Sequence, residues 1–337
     1  MFDYLKPLAT NLQRSGVTFR YNSRVTNVAR AGGITKKTMG AERRRLEPFR
    51  LLYVNIEGEQ SFATFGVVID ATGLTQPSRM GPGGLSALNE DCYFDAQPSC
   101  LKRTIAPCDS SKYSGKIVAL VGAGYSAATS AINLMNCGVK ELLWVTKKDT
   151  IDNGTLYDVI DGDVLQGRYN LCQTANILVK SSDSTKAHVS EALDTNHSIC
   201  RHFGGFQVVA INRLSNSKYR LKLEALDNIE RADVDVDVDF VISNTGFKPD
   251  PSILSELQVH MCYASDGPMK LAATLLGKSG DCMEQATAGI ESLLSPEPDL
   301  YIIGSKSYGR NSAFLLKIGI EQAKEVALKI KSDYFDN

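Results

Sequence analysis

The sequence has no excess of charge and no long apolar run, and these absences restrict its partners. Its 337 residues contain 37 Lys and Arg against 38 Asp and Glu, a formal net charge of −1. So balanced a chain gives no reason to expect a nucleic acid or an anionic membrane surface as a partner. The one basic run, Arg43 to Arg45, is interpreted as a solvated loop. No apolar run reaches the roughly 18 residues of a membrane span, so we expect neither nucleic acid nor membrane among its partners.

The cysteines lack the spacings that indicate dithiol or zinc chemistry. None of the eight forms a Cys-x-x-Cys pair or a Cys/His group with zinc-ligand spacing. The sequence therefore predicts no metal site, and its thiols are expected to be reduced in the cytoplasm. The cysteines stand at positions 92, 100, 108, 137, 172, 200, 262 and 282.

The most informative stretch is an apolar strand, Ile117 to Val121, that runs into Gly-x-Gly-x-x-Ala and a helical pattern. Gly122 permits a tight bend, and Gly124 lets the backbone approach a dinucleotide pyrophosphate at the helix N-terminus. Ala127 is small enough for the helix to pack closely on the strand. The alternative is an ordinary strand-to-helix turn with glycines for packing. The predicted pyrophosphate contacts are Gly122, Gly124, Tyr125, Ser126 and Ala127.

The end of the second strand, Glu141 to Thr146, indicates which nucleotide binds. An NAD site usually places Asp or Glu there to bind the ribose hydroxyls. This chain has Thr146, Lys147 and Lys148, a hydroxyl and two ammonium groups that would attract a 2′-phosphate. NADPH is therefore preferred to NADH. Two alternatives stay open: both lysines are surface charges, or Asp149 binds a ribose.

A strand ending in Thr-Gly occurs twice. Val67 to Gly73 has a counterpart in Phe240 to Gly246, and each closes a segment of helix, strand, small antiparallel insertion and strand. Such a turn brings the backbone close to a bound dinucleotide, so two turns suggest two dinucleotide sites. Two unrelated strand ends are the alternative. The residues concerned are Thr72, Gly73, Thr245 and Gly246.

The alternation of strand and helix patterns predicts the α/β class. The alternating run Asp233 to Asp239 lacks the Gly and Glu of a calcium loop and predicts a half-buried strand instead. Residues 75–116, rich in Pro, Gly and Ser, are expected to be loop. The remaining predicted strands are Val17 to Tyr21, Val25 to Ala29, Leu51 to Ile56, Phe62 to Ala63, Gly66 to Ala71, Phe206 to Asn212, Tyr219 to Ala225, Val234 to Ser243 and 296–304, and the predicted helices are 4–15 and 312–331.

These features together resemble the flavoproteins with two dinucleotide-binding domains, related to thioredoxin reductase and the flavin-dependent monooxygenases. The motifs are Val68 to Gly73 with Gly81 to Leu85, Gly122 to Ala127, Asn244 to Asp250 and Pro298 to Gly304. The resemblance implies a Rossmann-like FAD domain with an inserted Rossmann-like NAD(P)H domain, and FAD and NADPH as cofactors. It places the first part of the FAD domain at 1–112, the NAD(P)H domain at 113–250, and the return segment and C-terminal helix at 251–337.

In such proteins the last of these segments reaches the ribityl chain and the flavin. The resemblance therefore implies cofactor contacts for Gly304 and for Ser305, which stands where relatives often have Asp. It also places Lys306 and Arg310 near the flavin, where they would stabilise its reduced, anionic form. Surface cations are the alternative for both.

The chain departs from the resemblance in one respect. Residues 1–60 contain no strand with Gly-x-Gly-x-x-Gly, the turn that binds the FAD pyrophosphate in these flavoproteins. We expect the FAD domain to be incomplete at its N-terminus, and the surface around Val67, Ile69 and Ile302 to be apolar and exposed.

The expected activity is transfer of hydride from NADPH to flavin and then to an unknown acceptor or O₂, in a monooxygenase-like manner. Cys108 to Lys116 lacks the histidine of the monooxygenase fingerprint, and no catalytic side chain is identified. Arg201 and His202 are candidates to line the NADPH cleft, whereas His188, His197 and His260 lie outside the motifs. A non-catalytic nucleotide-binding remnant and a disulfide reductase are the alternatives.

Overall fold

The computed structural model describes residues 2–96, 100–150, 154–181, 198–215, 217–226, 232–276 and 289–336. His188, His197 and Cys282 lie outside the described residues. The strands are β1 (Arg24–Arg30), β2 (Phe49–Val54), β3 (Gln60–Phe65), β4 (Val68–Asp70), β5 (Leu74–Pro77), β6 (Leu101–Lys102), β7 (Ile117–Val121), β8 (Glu141–Thr146), β9 (Ile199–Gly204), β10 (Phe206–Arg213), β11 (Tyr219–Ala225), β12 (Val234–Val238), β13 (Phe240–Ser243), β14 (Phe247–Pro249) and β15 (Leu300–Ile302). The helices are α1 (Phe2–Arg14), α2 (Ala41–Arg45), α3 (Glu90–Ala96), α4 (Ser110–Tyr113), α5 (Tyr125–Asn136), α6 (Gln166–Ser181), α7 (Met269–Leu275), α8 (Ile290–Leu293), α9 (Ser305–Tyr308) and α10 (Leu316–Tyr334).

The chain forms two compact units. Unit 1 comprises residues 1–76 and 248–337, and unit 2 comprises residues 77–247. Residues 77–112, assigned above to the first part of the FAD domain, lie in unit 2, where β6 pairs with β13. No helix in the described part of the chain has the length and apolar character needed to cross a membrane.

Unit 2 is built on a five-stranded parallel sheet in the order β6-β13-β7-β8-β9. Strands buried on both faces have near-continuous apolar sequences, as β7 and β8 do. Alternate residues of β7 face different layers: Val118 and Leu120 pack with α5 and α6, whereas Ala119 and Val121 pack with the antiparallel sheet β10-β11-β12. The predicted α/β class is confirmed.

The acidic alternating run forms a strand, as predicted. Val236 and Val238 are buried while Asp235 and Asp237 are exposed. The predicted single strand from Val234 to Ser243 is divided, however. At Asp239 the chain passes from the antiparallel sheet to the parallel sheet, and the Asp239 carboxylate accepts a hydrogen bond from the Ile117 N–H at 2.8 Å.

Unit 1 contains the antiparallel sheet β1-β2-β3 and the parallel pair β4-β15. The basic run is not a solvated loop, because it forms α2 and Arg44 is fully buried. The buried Glu297 carboxylate accepts hydrogen bonds from Arg44 at 2.5 Å and from Arg30 at 2.8 Å. A buried cation needs such a partner, and no local sequence pattern indicates a partner more than 250 residues away.

The expected exposed apolar surface is present only in part. Ile69 is 46% exposed. Ile302 is 3% exposed, because it packs in a core cluster with Val28, Phe49 and Leu300. Val67 is partly buried against a second cluster, in which Tyr301 and Ile318 lie.

Two further local predictions were wrong. Residues 17–21 form no strand. Gly16, at φ +91°, follows the end of α1, and the Val17 N–H donates a hydrogen bond to the Leu12 carbonyl at 3.0 Å. Residues 75–116 are not loop throughout, since they contain α3, β6 and α4. Their short elements are held by non-local contacts, such as the pairing of Leu101 with Val241, which local sequence patterns do not reveal.

Candidate functional site

The glycine turn between β7 and α5 lies at the carboxyl end of the parallel sheet. Gly122 has φ +132°, and a Cβ there would lie 2.2 Å from the Asn244 carbonyl oxygen. Gly124 is the N-cap of α5 in extended conformation, and a Cβ there would meet no atom within 4 Å. The first glycine is therefore required by packing, whereas the second leaves open space before the helix. Tyr125 and Ser126 are exposed beside this space, and Ala127 is buried under the helix.

Two aromatic side chains that the sequence analysis missed hold this turn. The Tyr157 hydroxyl donates to the Gly124 carbonyl at 3.2 Å, and its ring stacks on Tyr125 at 6.4 Å between centroids. The Trp144 Nε1–H donates to the Gly122 carbonyl at 2.9 Å. Burial raises the pKa of Tyr157, so its hydroxyl stays protonated and remains a donor. The sequence signal for these two residues is general: a buried Tyr or Trp needs a hydrogen-bond partner for its polar group.

The order of the strands places the turn where ligands bind in such sheets. The chain proceeds from β7 outward through β8 to β9, then returns to the other side of β7 as β13. The order therefore reverses between β7 and β13, and the crevice at such a reversal is the usual ligand site. The Thr-Gly turn of unit 2 lies here, since the Asn244 N–H donates to the Val121 carbonyl at 2.7 Å.

This Thr-Gly turn is fixed by hydrogen bonds within unit 2. The Thr245 hydroxyl donates to the Ser78 carbonyl at 2.6 Å, and the Gly246 carbonyl accepts from the Ser78 N–H at 2.9 Å. The Asn244 side chain accepts from the buried Ser130 hydroxyl at 2.5 Å. Gly246 has φ +87°, a conformation that favours glycine. The turn is thus preformed beside the glycine turn.

The end of β8 carries the residues predicted to select the nucleotide. Thr146 is 1% exposed, and its hydroxyl donates to the Lys148 carbonyl at 2.6 Å and lies 2.8 Å from His202 Nε2. The ammonium groups of Lys147 and Lys148 donate to the carbonyls of Gly81 and Leu156, at 2.6 and 3.1 Å. These acceptors are neutral carbonyls, so no carboxylate in these bonds offsets either ammonium group; burial, opposed by the nearby Glu90, lowers the pKa of Lys147. Through its own contacts Thr146 shapes the loop that follows β8.

Asp149 and Arg201, which were also considered for the nucleotide cleft, each have a partner in the structure. Strand β8 ends at Thr146, and the Asp149 carboxylate accepts from the Thr150 N–H at 2.8 Å. A Cβ on Gly204 would lie 2.4 Å from the Asp149 Oδ1, so this carboxylate packs against the end of β9. Arg201 pairs instead with Glu141 at 2.7 Å, at the start of β8.

In unit 1 the Thr-Gly turn after β4 contains a buried ion pair. Lys306 is fully buried, and its Nζ lies 2.6 Å from the Asp70 Oδ2 and 3.1 Å from the Thr72 hydroxyl. The other Asp70 oxygen accepts from the Thr72 N–H at 3.1 Å and from its hydroxyl at 2.8 Å. Asp70 was not predicted as a site residue, although it lies within the first Thr-Gly motif, at the end of β4.

The return segment meets this turn. Gly304 and Gly73 have φ of +73° and +74°, and a Cβ on Gly73 would lie 3.4 Å from the Ser305 hydroxyl. The Gly304 N–H donates to Gln322 at 2.8 Å, and a Cβ on Gly304 would meet open space. Arg310 pairs with Asp266 at 2.5 Å. Because a carboxylate offsets each cation, the field that Lys306 and Arg310 present to a neighbouring ligand is reduced.

Within the described residues no group of His, Cys, Asp and Glu side chains is arranged to hold a metal ion.

A scan of the sequence against protein-family models finds no match, and a search of curated proteins finds none either.

Solved structures match nearly the whole chain. Bacillithiol disulfide reductase from Bacillus cereus is 14% identical, with a TM-score of 0.61 over 98% of this chain and 77% of that chain. Thioredoxin reductase from T. acidophilum is 17% identical, with a TM-score of 0.55 over 98% and 80%. Ornithine N-hydroxylase from Kutzneria sp. 744, in a structure with reduced FAD, NADP⁺ and L-ornithine, is 15% identical, with a TM-score of 0.51 over 96% and 75%. The chain thus has the fold of the two-domain FAD- and NAD(P)-binding oxidoreductases.

Proposed function

We propose that this chain is an FAD- and NADPH-dependent oxidoreductase that transfers hydride from NADPH to flavin and then to an acceptor or to O₂. The observation that carries the proposal is the open space before Gly124. It lies at the N-terminus of a 12-residue helix, at the reversal of strand order in a parallel sheet. The fold shared with disulfide reductases and an N-hydroxylase supports it.

NADPH would be held by unit 2. A bare Gly124 lets the backbone and the positive end of the helix approach the pyrophosphate. Tyr125 and Ser126 would flank it, and Lys147 and Lys148 would attract the 2′-phosphate, as ammonium groups bonded only to neutral carbonyls can do.

FAD would be held by unit 1, where Thr72 and Gly73 meet Gly304 and Ser305. The fit rests on two turns with positive φ that approach each other and leave open space beside Gly304. FAD supplies hydride-accepting chemistry that no amino-acid side chain provides. The protein's part is to orient the cofactor: Lys306 holds the Asp70 carboxylate, which in turn fixes Thr72 by two hydrogen bonds.

The nucleotide preference is tested by titrating NADPH and NADH into wild-type protein and the double variant Lys147→Ala/Lys148→Ala. Because both side chains are exposed, each contact is taken at the low end of a charge-assisted hydrogen bond, about 1.5 kcal/mol. NADPH affinity should then fall by roughly 100-fold while NADH affinity changes little. Lys140→Ala, at the opposite end of β8, is the matched control. Equal losses for the two nucleotides would contradict the assignment.

The enzyme is distinguished from a non-catalytic nucleotide-binding remnant by its flavin. Purified protein should release FAD on denaturation, and the loaded protein should oxidise NADPH. Intact NADPH binding without FAD or turnover would favour the remnant. Turnover only with a low-molecular-weight disulfide as acceptor would favour a disulfide reductase.

A further inference from the structure

Two cysteines that are distant in the sequence lie together in unit 2. The sulfur atoms of Cys108 and Cys137 are 3.4 Å apart, although the two residues stand 29 positions apart in the sequence. Cys108 precedes α4, and Cys137 is the C-cap of α5. Their spacing resembles no known dithiol motif, so only the fold reveals the pair.

The two thiols differ in access to solvent. Cys108 is exposed, whereas Cys137 is 3% exposed and donates its S–H toward the Cys108 sulfur. Burial, with the hydrogen bond to Cys108, raises the pKa of Cys137 to about 11. A dissolved oxidant can therefore reach Cys108 but not Cys137, an arrangement suited to one attacking and one resolving cysteine.

The segment just before Cys108 is hydrogen-bonded to α5. The Asn133 side chain donates to the Ala106 carbonyl at 2.8 Å, and the Ala106 N–H donates to the Ser130 hydroxyl at 3.0 Å. These bonds hold the chain just before Cys108 against α5. A bond between the sulfurs needs them to close from 3.4 Å to about 2.05 Å, which a side-chain rotation and a small movement of the exposed loop can provide.

We propose that Cys108 and Cys137 form an oxidation site that reacts with a hydroperoxide and closes to an intramolecular disulfide. The Cys108 thiol releases its proton and its sulfur attacks the peroxide. An S–O bond forms, the O–O bond breaks, and the departing alkoxide or hydroxide takes up a proton and leaves as alcohol or water, which gives a sulfenic acid. The Cys137 sulfur then attacks that sulfur. The S–S bond forms, the S–O bond breaks, and the departing hydroxide takes the Cys137 proton to leave as water. Two electrons pass from the thiols to the peroxide.

This site is separate from the proposed nucleotide site. Helix α5 has 12 residues, so about 18 Å of helix separates Cys137 from the glycine turn at 1.5 Å per residue. The pair is therefore not a dithiol placed at the NADPH turn, and the inference stands whether or not the proposed function is correct.

The test uses the full chain, reduced and then exposed to stoichiometric hydrogen peroxide, with alkylation, proteolysis and mass spectrometry. We expect a peptide linking Cys108 to Cys137, formed at least tenfold faster than oxidation of the exposed Cys92, and reversed by dithiothreitol. Cys137→Ala should leave a sulfenic acid on Cys108 that a dimedone probe traps, while Cys108→Ser should leave Cys137 unoxidised. Cys92→Ser is the control and should not change the link.

Three results would overturn the proposal. They are oxidation of Cys108 without the link, a link no faster than oxidation of Cys92, and a disulfide between other cysteines at equal yield. The mapping of wild-type protein needs no variant, so a variant that failed to fold would not affect the result.

Discussion

Replacing Gly122 with alanine should strongly destabilise unit 2, whereas Gly124→Ala should leave it folded. At Gly122 a side chain meets two penalties: a φ of +132°, and a Cβ 2.2 Å from the Asn244 oxygen. Such backbone strain costs about 1–3 kcal/mol, and overpacking costs about 1–3 kcal/mol more. The total, about 2–6 kcal/mol, is a large part of the roughly 5–15 kcal/mol that stabilises a domain. At Gly124 only the N-cap preference is lost, about 1 kcal/mol or less.

The chain contains its own reporter for this experiment. Trp144 is its one tryptophan, is fully buried in unit 2, and donates to the Gly122 carbonyl. Urea unfolding followed by its fluorescence therefore measures the stability of the unit that carries the turn. The same fluorescence, quenched by energy transfer to NADPH, measures binding.

Function is separated from packing by Gly124→Val. Its side chain would fill the open space before α5, so we expect the stability of unit 2 to be kept and NADPH binding to be lost. If Gly122→Ala unfolds at the same urea concentration as the wild type, packing does not require a glycine at this position. If Gly124→Val binds NADPH as well as the wild type, the open space is not the pyrophosphate site.

Three further predictions concern buried contacts. Tyr157→Phe removes the donor to Gly124, about 0.5–1.5 kcal/mol, and should weaken NADPH binding several-fold in titration; unchanged affinity would count against this role. Lys306→Met leaves the buried Asp70 carboxylate without its cation and should lower the free energy of unfolding by about 3–5 kcal/mol. The double variant Lys306→Met/Asp70→Asn should recover part of this loss. Simply additive losses would mean that the two side chains do not interact. At Glu297 burial opposes ionisation, but hydrogen bonds from Arg44, the Gln258 N–H and Arg30 outweigh it and lower the pKa of this carboxyl below its ordinary value. The stabilisation is therefore complete above the ordinary pKa of the unfolded chain and is lost as pH falls through the lower folded-state pKa. Acid unfolding of Glu297→Gln should show a weaker pH dependence in that range than the wild type.

The sequence predicted best what depends on local pattern. Strand β11 has the predicted bounds, and β7 with its glycine turn was identified because a strand buried on both faces has a continuous apolar run. The alternation of Val236 and Val238 with aspartates likewise identified a half-buried strand.

What the sequence could not show are contacts between distant residues. The ion pair between Lys306 and Asp70, which stand 236 positions apart, has no signal in the local sequence. Cys108 and Cys137 have no motif spacing and meet only because the chain before α4 lies along α5. That Gly122 is required by packing while Gly124 is not likewise depends on the position of Asn244.

The hydrogen bonds between Ser78 and the turn at Thr245 and Gly246 also join the two ends of unit 2. Once unit 2 has folded, the two segments of unit 1 are connected as if by a short loop. The entropy of closing a long loop is then offset by the folding of unit 2 itself, and unit 1 does not have to overcome it. An insertion with adjoining ends can thus be large without weakening the unit that contains it.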